Sequence, residues 1–337
     1  MEPALGRHIL CVREDRTRTR RRVKPRDLGL LLALGAMWGS SFLFIKVAVA
    51  EVEPAFVVAC RLFFALLALV AAVPLLGRLS KEMEGPTLPA RLAGLWRPLL
   101  VLGCLNAALP YLVISWGTQF LPSGTAAILN STVPLFTALL AGALPWFASE
   151  QLGLLGVAGI LLGMVGVGVL VGGSFGLFGQ GAVMGAAGVL TGSASYAVGG
   201  LYARRRMKGV PVRVSAVGQN AAGLVAALPL AVLALPREFP SLPAFLSLVG
   251  LGAVGTGFSM LIYFRLIANV GATRTSTVTY LVPVWALVYG AVLLGEEVSA
   301  HALLGLILIL LGVAGVSGIA RLPRKQPPEG TPNGSDR

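Results

Sequence analysis

The sequence predicts an all-α integral membrane protein, with ten transmembrane helices arranged as two inverted five-helix repeats. Three observations predict it. The 337 residues are 56% hydrophobic and only 12% charged, about half the charged share of an ordinary soluble domain. The apolar residues gather into ten runs, each close to the ~20 residues that a helix needs to cross a bilayer. The second half of the chain also repeats the first.

The ten runs are 28–49, 55–76, 98–118, 122–143, 153–172, 180–200, 213–234, 245–265, 274–294 and 300–319. A basic tail, 1–27, precedes them. It resembles the start of a signal peptide, but the first apolar run continues for some twenty residues without a small-x-small cleavage site, so a retained helix is expected. The longest connection, 77–97, carries Pro86, Pro89 and several charges and reads as a loop. The stretch 320–337 is rich in Pro, Gly and charge and is expected to be disordered.

Orientation follows from Lys and Arg. With the N-terminus in the cytoplasm, 24 of the 27 basic residues fall in cytoplasmic tails and loops. Only Arg237 is outside, and Lys46 and Arg61 lie within spans. The positive-inside rule therefore puts both termini in the cytoplasm. The net charge of +13 is accounted for by this bias. It comes with no aromatic stacking pattern or basic groove, so nucleic acid is not an expected partner.

The repeat emerges when 99–167 is compared with 248–316, a shift of 149 residues without gaps. Sixteen of these 69 positions are identical, among them Gly103/Gly252, Pro134/Pro283, Gly156/Gly305, Gly163/Gly312 and Gly166/Gly315. The units are 28–172 and 180–319. Five spans per unit make the second unit upside down relative to the first, an organisation found in transporters. The Gly156/Gly163 and Gly305/Gly312 pairs read as helix-packing faces. Abundant glycine, 43 residues, fits close packing between helices.

Two cations lie within spans. Lys46, near the outer end of the first, either snorkels outward to pair with Glu51 or Glu53, the favoured reading, or is functional. Arg61 is some six residues into the second span, and none of the ten runs contains Asp or Glu to pair with it. It binds backbone carbonyls or a substrate anion, lines a wet cavity, or anchors the span at the headgroups. Pro134 and Pro283 lie mid-span, where each removes a backbone hydrogen bond and is expected to break the helix. Beside them are Asn130, Ser131 and Thr132, and Thr277, Thr279 and Tyr280. Freed carbonyls with polar side chains suit a site at the membrane midplane. Asn106, Tyr111 and Tyr196 are further candidates to line it. Trp116 reads as an interfacial belt residue, and Gln219 and Asn220 are candidates for glue between helices.

The candidate substrate-binding set is thus Arg61, Asn106, Tyr111, Asn130, Ser131, Tyr196, Thr279 and Tyr280, with Pro134 and Pro283 as helix breaks. The histidines, His8 and His301, form no metal motif, and the three cysteines (Cys11, Cys60, Cys104) read as small hydrophobes. There is no phosphate-binding loop and no paired intramembrane carboxylate. No cofactor or metal is expected, and no catalytic residues are assigned.

Trp38-Gly39-Ser40-Ser41-Phe42 followed by Lys46, then Arg61, Pro134, Pro283 and Gly295-Glu296 with Gly305, Gly312 and Gly315, resemble the pattern of EamA-type carriers of the drug/metabolite transporter superfamily. The resemblance covers about 28–319. It implies movement of a small organic solute such as a metabolite, amino acid or drug-like compound, often outward, across the cytoplasmic (inner) membrane. The chain departs from the pattern at Phe147, where a glutamate is common; the nearest acid is Glu150. The leading expectation is a secondary transporter working by alternating access. The alternatives are a membrane-embedded enzyme or lipid-handling protein, and a scaffold or receptor.

Overall fold

The computed structural model describes residues 25–77, 88–143 and 153–317. The expectations for the tails, Cys11, Phe147 and Glu150 fall outside these. Among the described residues the chain is helical with no strand. This is what a bilayer demands, because backbone polar groups find no water there and must be satisfied within the segment. Among the described residues eight helices are long and apolar enough to cross a membrane, and two shorter apolar ones follow. Their number and apolar surfaces are those of a multi-pass protein of the lipid bilayer.

The helices are α1 (Pro25–Ala48) and α2 (Pro54–Gly77); α3, running through Trp96–Gly103, Cys104–Ala108 and Leu109–Gln119; and α4, Ser123–Asn130 and Val133–Ala143. Then come α5 (Leu154–Phe178), α6 (Gln180–Arg206) and α7 (Val212–Leu233). The last are α8, through Leu242–Gly252, Ala253–Phe258 and Ser259–Val270, α9 (Val278–Leu294) and α10 (Ala300–Val316). The connection expected to be a loop is partly helical, over Leu88–Gly94.

The partition of side chains is that of a protein solvated by lipid. Leu154, Leu161, Val232, Leu304 and Leu311 face outward, while Ser115, Thr118, Ser193, Asn220 and Ser259 are buried. Small residues set the helix contacts. α3 meets α6 at Gly117 and Gly185, where an added Cβ on either would strike the carbonyl of the other. α5 meets α10 where Gly312 lies against Gly159 and Gly163.

Packing partners recur in pairs. α1 lies on α8 and α9, and α6 lies on α3 and α4; α2 lies on α7, and α5 on α10. Exchanging the first five helices with the last five leaves this pattern unchanged. The irregular turns recur too. α3 widens into a π-turn at Cys104–Ala108 and α8 at Ala253–Phe258, and Cys104 and Ala253 are 149 residues apart. Such turns tend to mark functional positions.

The prolines behave differently from each other. α4 is interrupted at Ser131–Thr132, and Pro134 is the second residue of the segment that resumes. That position suits proline, whose missing N–H would be unpaired there anyway. Pro283, expected to break its helix, instead lies inside continuous α9. The interruption is upstream, between the short helix Ala272–Thr275 and Val278. The ring removes one bond, but Pro283 lies on the buried face of the helix with Val282 and Ala286, and packing there holds the turn together.

Candidate functional site

Arg61 projects from α2 into the bundle, and 91% of it is shielded. Its Nε donates to the Thr256 hydroxyl of α8 at 2.9 Å, and its Cζ lies 3.6 Å from the centre of the Tyr111 ring on α3. Tyr111 meets Tyr196 of α6 edge to face, with centroids 6.3 Å apart. Its Nε and one face are engaged by partners within the protein, which is not the geometry of a headgroup anchor. A charge at a helix centre costs about 2.5–3.5 kcal/mol on insertion, and one cation–π contact recovers about 2 when desolvated. Among the described residues no carboxylate pairs with it.

The π-turns build this cluster. Thr256 sits in the one on α8, flanked by Gly255 and Gly257, and its own hydroxyl reaches the Leu251 carbonyl at 3.2 Å. Gly252 packs so closely on the Arg61 carbonyl that a Cβ would clash; that approach brings α8 to α2. Asn106 sits in the π-turn of α3, with its Oδ1 against Gly199 of α6, buried and without a hydrogen-bond partner. One turn away, Ser195 donates to the Leu105 carbonyl at 2.8 Å. On the α1 side, Trp38 Nε1 donates to Ser259 at 3.1 Å and its ring lies 5.5 Å from that of Tyr263.

The other expected site residues are placed less directly. Ser131 donates to the Ile128 carbonyl and Thr132 to that of Leu129; these bonds close the α4 interruption. Thr279 donates to Ser276 in the same way. Asn130 Oδ1 lies 3.5 Å from the Ser193 hydroxyl of α6. The Tyr280 hydroxyl is buried with no partner. Asn220 is fully buried and bonds its own helix at the Ala216 carbonyl.

A second cluster lies where α1, α3 and α9 end. The expectation that Lys46 pairs with Glu51 or Glu53 is overturned. Its Nζ donates to the carbonyls of Thr118 (2.9 Å), Gln119 (3.4 Å) and Leu121 (2.7 Å). These lie at the C-terminus of α3, where carbonyls lack helical partners and the dipole favours a cation. Glu51 instead accepts from the backbone N–H and hydroxyl of Ser241, which hold its carboxyl below its usual range.

Glu296 completes this cluster. Gly295 adopts φ +67, a left-handed turn that glycine enters without strain. It ends α9 and turns the Glu296 side chain onto the N-terminus of α4. There the carboxylate accepts from Ser123 N at 2.8 and 2.9 Å and from Ser123 Oγ at 2.7 Å. The hairpin between α3 and α4 is thus held by a cation at one helix end and an anion at the other.

Sequence reading missed Thr256, Ser123 and Ser259 as partners. The visible signal for Thr256 was its glycine-rich setting, Gly252 to Gly257, whose first glycine pairs with Gly103 in the repeat.

The site is thus a polar cluster inside a bundle of apolar-coated helices. The EamA-like transporter family model matches residues 27–172 and again 183–318. The uncharacterized inner membrane transporter YedA of Escherichia coli K12 is 32% identical over 289 residues, covering 85% of this chain and 88% of that protein. The uncharacterized transporter YvbV of Bacillus subtilis is 27% identical over 298 residues, covering 86% and 91%. A "Probable terminal-alkyne amino-acid exporter" of Streptantibioticus cattleyicolor is 29% identical over 293 residues, covering 86% and 90%. One solved crystal structure superposes with a TM-score of 0.60 at 22% identity, covering 88% of this chain and 98% of that one, a likeness of fold alone. The chain belongs to the EamA-like transporter family and is a membrane transporter of small solutes.

Proposed function

We propose that the protein is a secondary carrier that exports a small organic solute across the cytoplasmic membrane by alternating access. The two halves, 28–172 and 180–319, act as inverted five-helix units with both termini in the cytoplasm. The observation that carries this reading is the Arg61 cluster, which draws α2 and α3 from one half and α6 and α8 from the other. A site built from both halves changes its exposure when they rock. The recurrence of the π-turns at the repeat spacing, the exchangeable packing pattern and the cytoplasmic bias of the basic residues all support it. In this orientation the Lys46 and Glu296 contacts lie at the outer face and close it.

Profiling of metabolites in cells and medium tests the reading. Overexpression is expected to deplete one or a few small solutes inside and enrich them outside, and deletion to do the reverse. Unchanged profiles with the protein present in the membrane overturn it. Reporter fusions after Arg321 test the orientation separately: a cytoplasmic reporter should be active there and a periplasmic one silent.

A further inference from the structure

Resting on the carrier reading, we propose that Arg61 is the receptor for a carboxylate. The solute is then a small organic monoanion, and the membrane potential alone drives its export. The carrying juxtaposition is a buried guanidinium with Thr256 on its Nε, Tyr111 on its face and, among the described residues, no carboxylate beside it.

A guanidinium has five N–H donors and does not deprotonate in a protein. Thr256 takes the Nε donor at 2.9 Å, and the Tyr111 ring covers one face at 3.6 Å. These two contacts fix the plane of the group. The Nη donors form its remaining edge, and among the described residues they have no hydrogen-bond partner. That edge is the fork that matches two oxygens of a carboxylate. The apolar runs hold no Asp or Glu to fill it, so the missing charge is the ligand's.

The charge count sets the ligand's class. Among the described residues, Arg61 is the one cation in the cluster. Lys46, the other cation within the spans, is committed to three backbone carbonyls. A doubly charged phosphate would leave one charge unmet in a medium where that is expensive. An ammonium on the solute would meet no carboxylate. A single negative charge on an organic body suits the site, with the Tyr111 and Tyr196 rings as its aromatic wall.

The energetics follow from the same count. Arg61 stays charged through the cycle, and no carboxylate within the apolar runs is present to carry a proton. Each turnover then moves one negative charge. An inside-negative potential expels it, and about 100 mV sustains an outward gradient of about 50-fold for one charge.

The test uses the purified full-length protein in liposomes. A potassium gradient with valinomycin sets the lumen positive or negative. The probe is a defined mixture of aliphatic and aromatic monocarboxylates, 2-keto acids, N-acetyl amino acids, free amino acids, sugars and amines, read by mass spectrometry. Protein-dependent accumulation of monoanionic carboxylates is expected, at least tenfold greater with the lumen positive than with it negative. Arg61→Gln should abolish it, and Thr256→Asp, which keeps Arg61 but supplies an internal counter-ion, should do the same. Monodisperse elution of both variants shows that they are folded; if Arg61→Gln is not, Thr256→Asp decides. Accumulation of neutral, zwitterionic or cationic solutes instead, or carboxylate uptake indifferent to the potential or to both substitutions, overturns the proposal while leaving a carrier. No protein-dependent accumulation of anything overturns the carrier reading and the proposal together.

Discussion

Arg61 and Lys46 are both cations within the membrane-spanning helices, and the fold treats them in opposite ways. Lys46 is saturated: three carbonyls at the end of α3 receive its ammonium, and Glu296 adds a favourable charge nearby. Arg61 is held by one hydroxyl and one ring, with its outer donors unbonded among the described residues. A structural cation satisfies a helix end and is itself satisfied. On the proposed reading, a cation kept for a ligand is oriented but left incomplete. The contrast separates the two by geometry, where depth in the span suggested only that each is costly.

The largest expected effect tests Arg61. Arg61→Gln should lower solute flux about 100-fold at equal membrane abundance, since a lost charge-assisted pair is worth about 1.5–3 kcal/mol. Its melting temperature should change little. Arg61→Lys should recover only part of the flux, because a point charge lacks the fork. If Arg61→Gln melts far below the parent and the flux per folded molecule is intact, the contrast fails.

The next effect belongs to Lys46. Lys46→Met keeps the apolar stem but orphans three carbonyls, and should destabilise the protein by about 3 kcal/mol. Detergent thermal melts measure this. Flux per folded molecule should fall much less than in Arg61→Gln.

Glu296→Gln should cost less, about 1 kcal/mol, since an amide oxygen still accepts from Ser123 but without charge at the helix N-terminus. A smaller loss than that of Lys46→Met in the same melts sharpens the ranking. An equal or greater loss would make Glu296 the main tie of the α3–α4 hairpin.

The smallest effect is that of Glu51, exposed and bonded to Ser241. Its carboxyl is held below its ordinary value, so its contribution is complete above that value and fades as pH falls through the lowered one. The melting difference between parent and Glu51→Gln should therefore be greatest at neutral pH and vanish in acid. A difference that grows on acidification would contradict the Ser241 contact.

Much of the fold was legible because its signals are local. Runs of apolar residues and the lack of charge within them follow from the bilayer as solvent, whatever the helices then touch. The pairing of Gly103 with Gly252 and of Pro134 with Pro283 was also readable as a repeat. The effect of each proline was not. Pro134 and Pro283 are the same residue at the repeat spacing, yet one begins a helical segment and the other continues through one. Neighbouring helices decide whether the freed turn opens.

By itself the sequence determined that the chain is a helical membrane protein, where its helices run, and that Arg61 carries a charge with no acidic partner in any span. It also set the candidates Tyr111 and Tyr196. Only the tertiary structure decided that these three meet, that Thr256 joins them from 195 residues away, and that Lys46 caps α3 instead of pairing with Glu51. The reason is physical. Helix formation depends on neighbours along the chain, whereas the partner of a buried charge depends on which helices pack side by side. Here that packing is set by close approaches at Gly117, Gly185 and Gly252, and their pairings leave no mark in local sequence.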